Sequence, residues 1–157
     1  MKVNVMRDLM ELVKECRADL DLLGIKYGNV NEWTVNSRAK SRWGECKKVG
    51  IGKFDISISK VLLDEDVDRQ KAKDTIVHEL LHTVPYCFGH KGRWKMLADY
   101  VNTKLPQYHI CRASSYKEIG IEEKRPEPIY RYILRCKGCG QEIKRQRESK
   151  AVKNYKK

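Results

Sequence analysis

The spacing of apolar residues predicts an amphipathic helix over residues 3 to 23. Its apolar positions recur every three or four residues and so share one face that can pack on a core. They are Val5, Leu9, Leu12, Val13, Cys16, Leu20 and Leu23. Gly24 marks the end of this helix, and Cys16 is interpreted as a small core residue.

Three short runs after this helix predict β-strands: "EWTVN", "SRWGEC" and "GKFDISIS". The first alternates through Trp33 and Val35, and the third alternates cleanly through Phe54, Ile56 and Ile58. Such alternation, with glycines at the turns, predicts a small antiparallel sheet with one buried face. The segment "FDISIS" within the third run is the candidate strand for pairing with an extended peptide, because an edge strand can do so.

Two further helices are predicted at residues 66 to 84 and 92 to 103. Asp64 or Asp66 can cap the first of them, and Pro85 ends it. The second has an apolar stripe made of Trp94, Leu97, Ala98 and Val101. Together these elements predict the α+β fold class.

The character of the chain changes after residue 104. Residues 104 to 130 are mixed in composition and contain three of the four prolines. A chain of 157 residues is enough for one compact domain with a small appendage. We therefore predict a main domain at 1–126 and a second segment at 127–157.

The second segment is strongly basic. The whole chain has a net charge of +12, and residues 131–157 contain ten Lys or Arg against two Glu, a net +8. Such a charge density favours polyanions, nucleic acid first, over a merely solubilising tail. The candidate contacts to DNA, single- or double-stranded, are Arg131, Arg135, Lys137, Lys144, Arg145, Arg147, Lys150 and Lys153.

No apolar run approaches the roughly 20 residues that a membrane span needs. Charges are spread through the first twenty residues, so they contain no signal-peptide core. We expect a cytoplasmic monomer with no membrane partner. The six cysteines are then reduced thiols or metal ligands rather than disulfides.

The stretch "HELLH" at 78 to 82 matches the H-E-x-x-H motif. On a helix His78 and His82 lie about 40° apart, so both imidazoles can reach one ion. Ile76 and Leu80 fall near the opposite side and can be buried. Glu79 points between these directions, where it can act on water but is poorly placed as a ligand.

A hydrolytic zinc site has three protein ligands and one open position. His90 is the favoured third ligand, because the chain can turn back after Pro85 and present it just before the next helix. Cys46 and Cys87 are the competing third ligands, since a thiolate with two histidines also forms a hydrolytic set.

Three stretches resemble the SprT-like (Spartan-type) family of zinc metalloproteases: "TVNSRAKSRWGEC", "GKFDISISKVLL" and "HELLHTVPYCFGHKGRWKMLA". The closing "YILRCKGCGQEIKRQRESKAVKNYKK" resembles it too. The third histidine stands in a His-Gly-x-x-aromatic context in that family, and His90–Trp94 has one residue inserted before the glycine. The resemblance implies a zincin-like domain with a zinc-ribbon appendage, and substrates that are proteins bound or crosslinked to DNA.

We therefore predict a zinc endopeptidase in which His78, His82 and His90 bind one catalytic Zn²⁺ with water in the fourth position. Glu79 is the general base. The group that stabilises the oxyanion is left open among Tyr108, Tyr116 and several arginines. The alternatives are a non-enzymatic nucleic-acid-binding module with a structural metal site, and a metallohydrolase for small amides.

Cys136 and Cys139 form the knuckle "CKGCG". A zinc ribbon needs a second pair about 15–20 residues further on, where this sequence ends. Either the segment is truncated, which is favoured, or the pair borrows ligands such as His109 or Cys111. A second, structural zinc ion is predicted only for a complete ribbon.

Overall fold

The computed structural model describes residues 6–39, 42–113 and 129–155. Within them the chain is a mixed α+β protein, divided into two compact units, Met1–Glu122 and Glu123–Lys157. The boundary expected from the sequence, between residues 126 and 127, lies in the stretch 114–128, outside the described residues.

The first helix, α1, runs over Leu9–Leu22. Asp8 caps it, because its carboxylate accepts hydrogen bonds from the N–H groups of Met10 and Glu11. The start predicted at residue 3 is wrong for the described residues before Asp8, since Met6 pairs with Asp64 in an isolated β-bridge. The apolar face is buried as its spacing predicts, with Leu9, Leu12, Val13, Cys16 and Leu20 in the core.

The sheet of the first unit has three strands: β1 (Asn29–Asn36), β2 (Gly44–Gly50) and β3 (Lys53–Ser59). Their order is β1-β3-β2, with β2 antiparallel and β1 parallel to β3. The expectation of an antiparallel sheet is therefore wrong for β1. The reason is that the chain first runs back along β2 and then turns into β3, so β3 points the same way as β1.

The strand β3 is central and is paired on both sides. It therefore cannot offer a free edge to a substrate, and the role expected for it is wrong. Its alternation is confirmed, because Phe54, Ile56 and Ile58 are all buried. Val35 of β1 lies opposite Ile58 on the same face, but it stands near the end of an edge strand and is 43% exposed.

The helix α2 spans Arg69–His82, and Asp68 caps it by accepting a hydrogen bond from the Gln70 N–H. The prediction that Asp64 or Asp66 caps this helix is wrong. A 3-10 helix over Lys60–Leu63 ends just before them, and residues 64–67 form a turn instead. The helix α3 follows at Arg93–Lys104. Its buried residues are Trp94, Ala98 and Val101, which join the core of α1, α2 and β3.

The second unit contains a hairpin and a short helix among its described residues. The strands β4 (Tyr132–Arg135) and β5 (Glu142–Arg145) pair antiparallel, and the CKGCG knuckle lies between them. The helix α4 follows at Lys150–Tyr155 and buries Val152.

Candidate metal centre

The C-terminal end of α2 carries the HELLH motif. Ile76 and Leu80 are completely buried in the core, as the helical spacing predicts. His78 and His82 therefore point away from the core side of the helix. The helix ends at His82, and the capping residue Thr83 donates a hydrogen bond of 2.6 Å from its hydroxyl to the Leu80 carbonyl.

The connection between α2 and α3 returns His90 to these two histidines. Tyr86 adopts a left-handed backbone with a φ of 66°. Gly92, with a φ of 55°, precedes the first residue of α3, where a side chain would be strained. The turn brings His90 to His78 and His82, as expected from the proline and the glycine between them.

The three Nε2 atoms converge on one point. They are separated by 2.9 Å between His78 and His90, 3.1 Å between His82 and His90, and 3.2 Å between His78 and His82. A tetrahedral ion with Zn–N bonds of about 2.0–2.1 Å holds its ligand nitrogens about 3.3 Å apart. The cluster therefore has the spacing of a metal site, and these three residues could hold a metal ion.

Backbone carbonyls fix the orientation of two of the rings. Nδ1 of His78 lies 2.9 Å from the carbonyl oxygen of Cys111, and Nδ1 of His82 lies 2.7 Å from that of Cys87. A carbonyl only accepts hydrogen bonds, so each Nδ1 carries the proton and each Nε2 keeps its lone pair. This is the outer-shell arrangement that prepares histidine for a metal.

This tautomer assignment has an electrostatic consequence. The Nε2 atoms of His78 and His82 are both acceptors and cannot hydrogen-bond to each other. Burial and, to a smaller extent, the neighbouring His82 and His90 together lower the pKa of His78 to about 4. Burial also lowers the pKa of His82 and of His90, the latter with help from Arg112. Protons are thus disfavoured in the cluster, and a bound cation fits the facing lone pairs.

Trp94 forms one wall of the cluster. Its ring centroid lies 4.8 Å from that of His78, 5.4 Å from that of His82 and 4.7 Å from that of His90. The side chain is almost fully buried. The sequence placed Trp94 in the apolar stripe of α3, and the family resemblance placed it as the aromatic residue that follows His90. The contact of its ring with all three histidines was not predicted.

Glu79 lies on a cleft of about 380 Å³ that the three histidines also line. Burial raises the pKa of its carboxyl group to about 8; the charge of Glu45 adds to the rise and that of Arg42 opposes it. The backbone of β2 comes very close here, since a Cβ built on Gly44 would be 2.5 Å from Glu79 Oε1. Glycine is required where another group approaches the backbone this closely.

Neither of the two cysteines considered as third ligands belongs to the group formed by the histidines. The side chain of Cys87 is fully buried, and its backbone carbonyl lies 2.7 Å from Nδ1 of His82. Cys46 lines the cleft, but burial and the charge of Glu79 raise the pKa of its thiol to about 12. Of the residues described, only the three histidines form a group of three or more potential ligands.

Of the two tyrosines considered for the oxyanion, Tyr108 does not line the cleft. Tyr108 is buried, and its hydroxyl donates a hydrogen bond of 2.5 Å to Asp19 of α1. Tyr108 is therefore excluded, and Tyr116 lies outside the described residues. Arg42 and Arg112 do line the cleft, and Arg42 is paired with Glu45.

The cysteine pair of the second unit is exposed. Hydrogen bonds from the backbone N–H groups of Cys139 and Gly138 lower the pKa of the Cys136 thiol. Within the described part of the chain, no third potential ligand joins the pair to make a metal-binding group. His109 and Cys111, which the pair was expected to borrow if the ribbon is not truncated, line the cleft of the first unit.

The basic residues of the second unit are on its surface. All eight candidate contacts to nucleic acid are exposed: Arg131, Arg135, Lys137, Lys144, Arg145, Arg147, Lys150 and Lys153. Lys144 lies over the ring of Tyr130 at 5.7 Å, and Arg135 is paired with Glu142 across the hairpin. The structure thus presents these side chains to solvent, where a polyanion could meet them.

No protein-family model, no curated protein and no solved structure matches this chain. Among its described helices, none has both the length and the apolar character needed to cross a membrane. A function therefore has to be inferred from the residues and their geometry.

Proposed function

We propose that this chain is a zinc-dependent endopeptidase that acts on proteins in a DNA-bound or DNA-crosslinked context. The observation that carries the proposal is the convergence of three histidine Nε2 atoms beside a buried glutamate, on an open cleft. No fourth His, Cys, Asp or Glu of the described residues joins the group. Structural zinc sites fill all four positions, whereas hydrolytic sites leave one open.

Zinc is the metal we propose, because three neutral imidazoles suit it and it has no redox chemistry of its own. Imidazole also binds copper, iron and nickel, so the ion has to be identified by metal analysis. Bound by three histidines, zinc polarises carbonyl groups and makes water a stronger nucleophile.

Glu79 is the proposed general base. It lies between the two ligands of α2 and faces the same cleft. In this role its carboxylate accepts a proton from the attacking water and returns it to the leaving amine. The close approach of the Gly44 backbone limits where the carboxyl group can go. The carbonyls of Cys111 and Cys87 hold the rings of His78 and His82 so that Nε2 faces the cleft.

The strand β2 replaces β3 as the proposed substrate-binding edge. It lies at one edge of the three-stranded sheet, and residues 44–46 line the cleft. An extended peptide that added to this edge would gain main-chain hydrogen bonds with little demand on its sequence. Its scissile bond would then lie beside Gly44 and Glu79.

The test is Glu79→Gln in zinc-loaded protein. Loss of the base should reduce peptide-bond hydrolysis by about 10²–10⁴-fold, while the affinity for zinc stays near that of the wild type. Glu32→Gln, the same chemical change at an exposed position of β1, is the matched control. Unchanged hydrolysis in Glu79→Gln would refute the mechanism.

The DNA part of the proposal has its own support. It rests on the net +8 of residues 131–157 and on the exposure of the eight candidate side chains. A non-enzymatic nucleic-acid-binding module would share these features. A binding module with a structural metal site has no use for a buried glutamate between two metal ligands. We therefore prefer the protease.

A further inference from the structure

The segment that follows α3 passes directly beside the metal centre. It has no helix or strand of its own between Lys104 and residue 113. Yet it supplies the Cys111 carbonyl that accepts a hydrogen bond from His78 Nδ1. A carbonyl can fix the tautomer of a ligand only if the backbone beside it is held in place. Two side chains, Asn102 and Asp74, hold this segment.

Asn102 holds the residue just before Cys111. Its Oδ1 accepts a hydrogen bond of 2.8 Å from the Ile110 N–H, and its Nδ2 donates one of 2.9 Å to the Ile110 carbonyl. One side chain thus satisfies both backbone groups of Ile110, as a neighbouring β-strand would. Ile110 is itself buried, at 5% exposure, so these groups would be costly to leave unpaired.

A second contact fixes the same segment from α2. Asp74 Oδ1 accepts hydrogen bonds of 3.1 Å from the His109 N–H and from Gln70 Nε2. Asp74 lies one helical turn before His78. The segment is therefore tied at residue 109 to α2 and at residue 110 to α3, immediately before the carbonyl that contacts the metal ligand.

We propose that Asn102 is a positioning residue of the metal centre. By holding both backbone groups of Ile110, the residue before Cys111, it restricts where the Cys111 carbonyl can lie against His78 Nδ1 and so keeps His78 Nε2 free for the ion. The inference rests on the metal binding of the proposed function. It assigns a role in that binding to a half-buried asparagine that lies outside the group of ligands.

The test compares the affinity of Asn102 variants for Co²⁺ and Zn²⁺ by competition with a chelator. Asn102→Ala removes both hydrogen bonds to Ile110. Asn102→Asp is nearly isosteric and keeps the acceptor for the Ile110 N–H, but it places an oxygen against the Ile110 carbonyl. Removal of outer-shell partners typically weakens metal binding by about 10–100-fold, and we expect a loss in this range for both variants.

Thr103→Ala is the matched control. It removes a side-chain hydrogen bond of 2.8 Å to the Asp99 carbonyl on the same helix, away from the 109–111 segment. We expect its metal affinity to equal that of the wild type. Should Asn102→Ala fail to fold, Asn102→Asp decides the question.

Imidazole NMR separates positioning from general stability. In the folded wild type, the Nδ1 proton of His78 should show the shift of a hydrogen bond to a carbonyl. In a folded Asn102 variant that signal should move or disappear, whereas a merely stabilising asparagine would leave it unchanged. Metal affinity equal to the wild type, or an unchanged His78 signal, would overturn the inference. Wild-type protein that bound neither metal would overturn the proposed function as well.

Discussion

The three histidines allow a direct test at the scale of single residues. His90→Ala removes one nitrogen from the cluster. With free zinc at a hundredfold excess over the dissociation constant, we expect the wild-type free energy of unfolding to rise by up to about 2.7 kcal/mol. Zinc should raise the free energy of unfolding of His90→Ala only slightly. Denaturant unfolding with zinc and with a chelator measures both.

The fourth histidine provides the control for this experiment. His109 lies outside the cluster and bonds to Asp74 through its backbone N–H, which His109→Ala retains. The stabilisation of His109→Ala by zinc should equal that of the wild type. Equal stabilisation of His90→Ala would place the ion at another site.

Gly44→Ala tests how Glu79 is positioned. The added Cβ would lie 2.5 Å from Glu79 Oε1, so the carboxyl group has to move. A displacement of about 1 Å in a reacting group can cost about 100-fold in rate, and we expect a loss of peptide hydrolysis of that order with zinc affinity preserved. Gly50→Ala, on the same strand, meets only ordinary contacts. It should keep full activity, and a Gly44→Ala protein as active as Gly50→Ala would contradict the assignment.

The thiols should differ in reactivity. The pKa of Cys136 is lowered by hydrogen bonds from backbone N–H groups, so more of it is thiolate near neutral pH. Burial raises the pKa of Cys46 to about 12, which leaves almost no thiolate. Alkylation near neutral pH, followed by mass spectrometry in the absence of metal, should modify Cys136 well before Cys46. The reverse order would be inconsistent with these environments.

The sequence predicted the grouping of the three histidines better than it predicted their surroundings. His78 and His82 share one face of a helix, and this follows from spacing alone. The carbonyls of Cys111 and Cys87 could not be placed in this way. A backbone carbonyl is common to every residue, and its position depends on how distant segments pack.

At the scale of elements, periodicity predicted the helices and the buried face of β3. Each depends on residues that are close in sequence. The order of the strands does not, because it is decided by pairing between distant segments. The hairpin of β2 and β3 is local, but β1 reaches β3 on its other side and lies parallel to it. This pairing is what left β2, and not β3, at the edge beside the cleft.

The contact between α1 and α2 predicts a dependence on acid. Arg69 hydrogen-bonds both carboxylate oxygens of Glu15, and this bond lowers the pKa of Glu15. A lowered pKa means that the stabilisation is present above the unfolded-state value, near 4.3, and is lost as the pH falls through the folded-state value. Because both side chains are about half exposed, we expect less than about 1 kcal/mol.

The measurement is urea unfolding of wild type and Glu15→Gln at neutral pH and at a pH below the carboxyl range. The difference in the free energy of unfolding between the two proteins should be present at neutral pH and should disappear in acid. Glu32→Gln should show neither effect. A difference that persisted in acid would show that charge on Glu15 is not its source.

At the scale of the whole molecule, the uneven charge predicts binding to DNA that depends on salt. If the protein contacts six to ten phosphates, raising the salt concentration from about 50 to about 200 mM should weaken DNA binding by about 10³–10⁵-fold. The double variant Lys144→Glu and Arg147→Glu, in the second unit, should bind less tightly and with a shallower salt dependence. Fluorescence anisotropy with single-stranded and duplex oligonucleotides measures both.

A double variant with the same change in net charge controls for this effect. Lys26 and Lys53 are exposed in the first unit, and changing both to Glu should weaken binding less. If both double variants bind alike, or if the wild type binds no DNA at low salt, the DNA part of the proposal is wrong. The protease part of the proposal would then be tested by Glu79→Gln alone.

The closeness of the three histidines in the chain has a consequence for folding. His78 and His90 are only twelve residues apart, so the entropy lost in gathering them from an unfolded chain is small. A metal that binds unfolded histidines stabilises the native state by less than its full binding free energy. Zinc should therefore bind this stretch before the rest of the domain is formed. The observed stabilisation should then fall short of the value calculated from the native dissociation constant.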